Sequence, residues 1–295
     1  MSLIDCCITI SNMVEYPIAS MDIPMKHYGL IALFFLLACT HAAAIAQSKT
    51  VVGKPVDPLE DKSLTTEEYY RLGMPPVERR WSREDLQKAV AVLTKLKPTP
   101  EKLPRFQSPQ SGEVFAKLLD REAAKLVMEN GQSPPEQIVE INGYLQPIAG
   151  ALQIYAMAAW PRRSLAVEQV ELAEPMLFLV VHVIREANLF QKSLDPSDPT
   201  YRTRQQGFDK MRSGMGQVVV GLLVSMGDKV YSQPATRVRL AGILKEYLPA
   251  ILAELPDTLQ RDYRGRIVRL AERETDSQVK DVLDAMLSKI PVKSW

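Results

Sequence analysis

The chain has 295 residues, with 36 Lys and Arg against 35 Asp and Glu and a net charge of +1. That balance lacks the basic excess of a nucleic-acid binder, whereas 46% hydrophobic residues suffice for a sizeable core. Three cysteines and three histidines leave little material for disulfide frameworks or multi-ligand metal centres.

Residues 1–24 are expected to be an upstream extension, because reading from Met25 gives the three parts of a secretory signal. Lys26 supplies positive charge, Leu30 to Ala38 the apolar core, and Ala44-Ile45-Ala46 the small residues of a cleavage site. Residues 25–46 are therefore expected to be a signal peptide, with the mature chain starting at Gln47 and exported to the periplasm or secreted. An uncleaved anchor needs about 20 apolar residues, and Thr40 and His41 interrupt this run. A core helix is the soluble alternative. Leu36-Leu37-Ala38-Cys39 resembles the lipobox of bacterial lipoproteins, which would make Cys39 a lipidated N-terminus on a membrane. Membrane contact is expected only if Cys39 is lipidated or the signal is retained.

Cys6, Cys7, Cys39, His27 and His41 all precede Gln47. The mature chain would thus carry no cysteine and one histidine, His182, which excludes disulfides, thiol nucleophiles and Cys-ligated or multi-histidine metal sites. Cleavage also removes Lys26 and the acids Asp5, Glu15 and Asp22, leaving 35 basic against 32 acidic residues. No cofactor or metal is expected.

Residues 47–63 are polar and proline-punctuated and read as an extended leader, followed by a single helical domain over 64–295. Thr65-x-x-Glu68 matches a capping box before Pro75-Pro76, and Ser82 with Asp85 opens a stronger helix. Trp81 and Leu86 have the spacing of a hydrophobic staple, and Leu86, Val90, Leu93 and Leu96 form its stripe. Residues 97–110, with four prolines, read as a long irregular connector. From Ser111 the chain reads as continuous helix, with Val114, Phe115, Leu118, Leu119 and Leu126 on one face and a stop at Asn130-Gly131. Ser133-Pro134-x-Glu136 starts a helix running toward Trp160, with a kink expected around Gly143, Pro147 and Gly150. Met176–Ile184 and Val218–Met226 are apolar nearly all round and read as central helices, with buried strands as the alternative. Three further helices follow: Leu240 to Leu255 with a bend at Pro249, one opened by Asp257-x-x-Gln260, and one opened by Ser277. Their short links predict antiparallel neighbours in an all-α bundle or irregular helical array.

Four constellations bear on function. His182 with Glu186 one turn on has the spacing of a proton-transfer pair, although a packing histidine with one hydrogen bond explains it more simply. Glu168, Glu171 and Glu174 have a spacing that would let a helix hold a hard cation, against a solvated face as the plainer reading. Gly207, Gly214, Gly216, Gly221 and Gly227 invite a phosphate-loop reading, but Gly214-x-Gly216 lacks the third glycine of a dinucleotide loop, so close helix packing is expected at these glycines. Arg266, Arg269 and Arg273 share a stripe that would suit an anionic surface, or a solvated face paired with Asp262. No nucleophile elbow accompanies His182. The expected function is a non-catalytic binding or structural role through contact with a protein or envelope partner, and catalytic residues are unknown. A carboxylate-based hydrolase and a membrane-tethered adaptor are the alternatives.

Overall fold

The computed structural model describes residues 61–158, 164–227 and 233–290. The expected signal peptide, its cleavage residues Ala44, Ala46 and Gln47, the lipobox Cys39 and nearly all of the leader lie outside the described residues. All regular structure within them is helical: α1 (Thr66–Arg71), α2 (Arg83–Leu96), a 3-10 turn (Pro100–Lys102), α3 (Gly112–Leu119), α4 (Glu122–Glu129), α5 (Pro134–Ala158), α6 (Ala166–Ser193), α7 (Tyr201–Gly227), α8 (Pro234–Ala253), α9 (Asp257–Arg273) and α10 (Ser277–Leu287). Both apolar stretches for which strands were the alternative lie inside helices, α6 and α7.

Local chemistry sets most boundaries. At α1 and α2 both capping boxes form, Thr65 with Glu68 and Ser82 with Asp85. Gly73, at φ +93°, adopts the left-handed conformation that ends α1. The Glu136 carboxylate accepts from the N–H and hydroxyl of Ser133 at the start of α5. In α10 the cap is Asp276 rather than Ser277, because the Asp276 side chain accepts from the N–H groups of Gln278 and Val279. Gln260 does not close a box with Asp257; its amide instead donates to the Leu255 and Ala253 carbonyls, sealing the end of α8.

The expected continuous helix from Ser111 is two helices. Asp120 is extended, and its carboxylate accepts from the N–H of Glu122, a local bond that competes with helix propagation. Leu126 consequently leaves the apolar face and is 50% exposed.

One connected apolar cluster runs through the described residues, from Tyr69 to Ile290. α6 sits at its centre and packs against α3, α5, α7 and α8, while α8 also packs against α10. Gln191 and Asn188 of α6 bond Gln205 and Arg212 of α7, so these helices run in opposite directions. Glu171 and Asn188 of α6 bond Arg239 and Glu254 at the two ends of α8, so α6 and α8 run the same way. The connector over 97–110 is fastened down: Tyr69 donates to the Lys102 carbonyl at 2.8 Å, Tyr155 to that of Pro104 at 2.6 Å, and Arg105 pairs with Glu168 at 3.0 Å.

Candidate functional site

On α6, Glu171, Glu174, Phe178, His182 and Leu189 fall on one stripe, because steps of three, four and seven residues return to the same side of a helix. The stripe begins buried and charged, then opens. Glu171 is 9% exposed, and both of its oxygens accept from Arg239 of α8, at 2.9 and 2.8 Å. Glu174 accepts from the same guanidinium and pairs with Arg121 at 3.3 Å. These hydrogen bonds to carboxylates hold the Arg239 guanidinium firmly protonated. The three glutamates therefore do not form a solvated face. Glu168, 3% exposed, accepts from Arg105 and from the N–H of Phe106, so each acid is committed to an arginine rather than to a cation site.

Beyond Glu174 a cleft of about 370 Å³ opens between α4, α6 and α8, lined by Arg121, Lys125, Phe178, Val181, His182, Glu246 and Tyr247. Arg121 stands at the break between α3 and α4, as the residue preceding the first turn of α4. Its guanidinium lies over the Phe178 ring at 5.0 Å from the centroid, a cation–π contact, and donates to the Tyr247 hydroxyl. Phe178 meets the His182 ring edge-on, with centroids 4.8 Å apart. Lys125, one turn along α4, bonds Glu122, and Glu246 is exposed on the rim.

His182 is half-buried and makes no hydrogen bond with another described residue. Burial, with the like charge of Arg185, holds its imidazole below the ordinary value, so it is neutral at pH 7. Burial raises the Glu186 carboxyl, and no bond joins it to His182. The expected proton-transfer pair is thus not assembled, and the expected single hydrogen bond of a packing histidine is missing too.

Arg266, Arg269 and Arg273 are exposed on one face of α9, and Arg266 pairs with Asp262 at 3.0 Å. Gly216 is a packing glycine, because an added Cβ would run into the Tyr263 hydroxyl and lie 3.1 Å from its Cζ.

Sequence reasoning isolated His182 but passed over Arg121, Lys125, Phe178, Glu246 and Tyr247. Two signals were available. Asp120-Arg121-Glu122 inside an apolar run marks a local turn, and Phe178 four residues before His182 marks a shared face. No protein-family model matches the chain, and no curated protein or solved structure matches it significantly.

Proposed function

We propose that this is an exported, non-catalytic helical protein that acts by contact, holding a protein or envelope partner in the α4–α6–α8 cleft. The observation that carries this reading is the make-up of the cleft wall among the described residues: an apolar floor of Phe178 and Val181, two cations, a neutral histidine and one carboxylate, Glu246. Concave sites with an apolar lining and a few convergent polar groups are made for binding. A hydrolase working with two carboxylates needs both facing the substrate about 5 to 9.5 Å apart, and among the described lining residues Glu246 is the one carboxylate. Export is supported by the charged, apolar and small-residue segments of 25–46, and soluble release by the cleavage residues before Gln47.

The test is photocrosslinking in the native cell. A crosslinking amino acid at Lys125 is expected to give a discrete adduct that disappears when His182→Trp fills the cleft. The same group at the exposed Lys280 of α10 is expected to give none. Equal labelling at both positions, or none at Lys125, sinks the cleft as the contact site. The N-terminal mass of the recovered protein decides its form: a start at Gln47 supports release, a lipidated Cys39 supports a tethered adaptor, and an intact residue 1 rules out processing.

A further inference from the structure

We infer that the cleft is a receptor for an acidic peptide, a partner segment that sets one carboxylate on Arg121 and a bulky apolar side chain on Phe178 and Val181. The inference rests on the contact reading above and adds the chemistry of the occupant.

Arg121 decides the charge. A guanidinium carries five N–H donors in a planar fork that matches a carboxylate. In Arg121 the Nη1 group serves Tyr247 and Glu174, while Nε and Nη2 have no hydrogen-bond partner among the described residues. The side chain is 27% exposed and clamped on three sides, by Glu174, the Tyr247 hydroxyl and the Phe178 face. Holding an arginine still with three of its five donors unused lowers the entropy cost that a free side chain pays on binding. Glu174 and Glu122 pair with Arg121 and Lys125 from outside the lining, so what the wall offers an anion is the unused guanidinium N–H groups of Arg121 rather than an excess of positive charge. Glu246 on the rim disfavours a second acid nearby and selects a segment with one.

Two features favour a peptide over a small organic acid. The neutral His182 imidazole has an unused donor and an unused acceptor, as a backbone amide requires. Leu189, 48% exposed, continues the Phe178 and His182 stripe beyond the cleft. Seven residues of helix place it about 10 Å past His182, roughly three residues of extended chain. A small acid ends before it, whereas a peptide reaches it.

The experiment uses the full-length chain and fluorescence anisotropy with a dye-labelled, amidated pentapeptide, Gly-Glu-Leu-Phe-Gly, beside its Gln counterpart and 3-phenylpropionate as competitor. Saturable binding is expected, at least about tenfold tighter for the Glu peptide than for the Gln peptide. Leu189→Asp is expected to weaken the Glu peptide about threefold or more without changing the phenylpropionate affinity. Arg121→Lys is expected to abolish the preference for Glu; if that variant fails to fold by circular dichroism, Lys125→Glu, at a partly exposed position, supplies the charge test, reducing the preference. Equal affinity for both peptides overturns the inference, as does the absence of saturable binding. Phenylpropionate binding as tightly as the peptide also overturns it and makes the occupant a small acid. In each of those cases a surviving Lys125 crosslink in the native cell leaves the contact reading intact. Loss of that crosslink with Glu selectivity preserved overturns the contact reading alone.

Discussion

Arg105 and Glu168 join the proline-rich connector to the first turn of α6, and neither has much water to fall back on, with side chains 16% and 4% exposed. Arg105→Ala would leave the Glu168 carboxylate, among the described residues, with only the Phe106 N–H as partner, and an orphaned buried charge costs about 3 kcal/mol or more. Urea unfolding is therefore expected to show a loss of that size for Arg105→Ala. Arg105→Met with Glu168→Leu is expected to cost much less than the two single changes added, because the charge and its counter-charge leave together. A loss below about 0.5 kcal/mol for Arg105→Ala would mean that water already solvates Glu168. Asp85 is the clearest acid-sensitive group. The Arg79 guanidinium, with the Ser82 backbone and hydroxyl, holds its carboxyl down at about 2. The folded state therefore binds the Asp85 proton more weakly than the unfolded chain, where the value is about 3.9. Its stabilisation is complete above about pH 4 and is lost as pH falls through about 2. Asp85→Asn should lower Tm at pH 7 and flatten the dependence of Tm on pH across that window. An unchanged slope would assign the acid sensitivity to other carboxylates. From sequence, Asp85 was legible as a capping residue. Its partner Arg79 was not, because the chain between them makes a non-helical turn that no periodicity describes.

At the scale of elements, the legible features were those written within four residues. Thr65 with Glu68, Ser82 with Asp85, and the apolar spacing of α8 all place local bonds or faces where the sequence puts them. The break at Asp120 was missed because apolar periodicity on both sides outweighed one Asx turn, and that break is what delivers Arg121 to the cleft. The acids of α6 were misread as solvated because their partners Arg105 and Arg239 lie more than sixty residues away in the chain. The packing expected of the α7 glycines holds at Gly216, where α7 meets Tyr263 of α9, and fails at Gly207, which is exposed with nothing for a Cβ to meet. Gly216→Ala is expected to destabilise by about 1–3 kcal/mol, since the buried Tyr263 ring has little room to retreat. Tyr263→Phe removes the clashing hydroxyl, so the double variant should recover part of that loss, read as a coupling in a double-mutant cycle. Strictly additive losses would show that α7 and α9 do not meet there. Gly207 on the same helix is the control. It is exposed, and an added Cβ would find nothing within 4 Å. Gly207→Ala should therefore stabilise by up to about 1 kcal/mol through helix propensity alone.

Across the described residues, α6 joins the helices before and after it into one apolar cluster running from Tyr69 to Ile290. Leu172, Leu177 and Ile184 are fully enclosed, and α3, α5, α7 and α8 all pack against the helix. The cleft belongs to this arrangement, because its three walls come from α4, α6 and α8, which are far apart in sequence. Contacts of that kind are invisible to periodicity, which reports which face is apolar but not which helix covers it. If residues 64–295 fold as one domain, the cluster must melt as a unit, because removing either set of neighbours would expose the α6 residues on which the other depends. Trp81, buried beside α2 and donating its indole N–H to the Pro76 carbonyl, reports on the N-terminal part of the cluster. Far-ultraviolet circular dichroism is dominated by the long helices α5 to α9. With Trp160 and Trp295 changed to Phe, Trp81 fluorescence and circular dichroism should give coincident urea midpoints in a single transition. Midpoints separated by more than about 0.5 M would instead divide the chain into two cooperative units. The cleft would then be expected to lose its peptide at the lower midpoint, since α4 belongs to the N-terminal neighbours and α8 to the C-terminal ones.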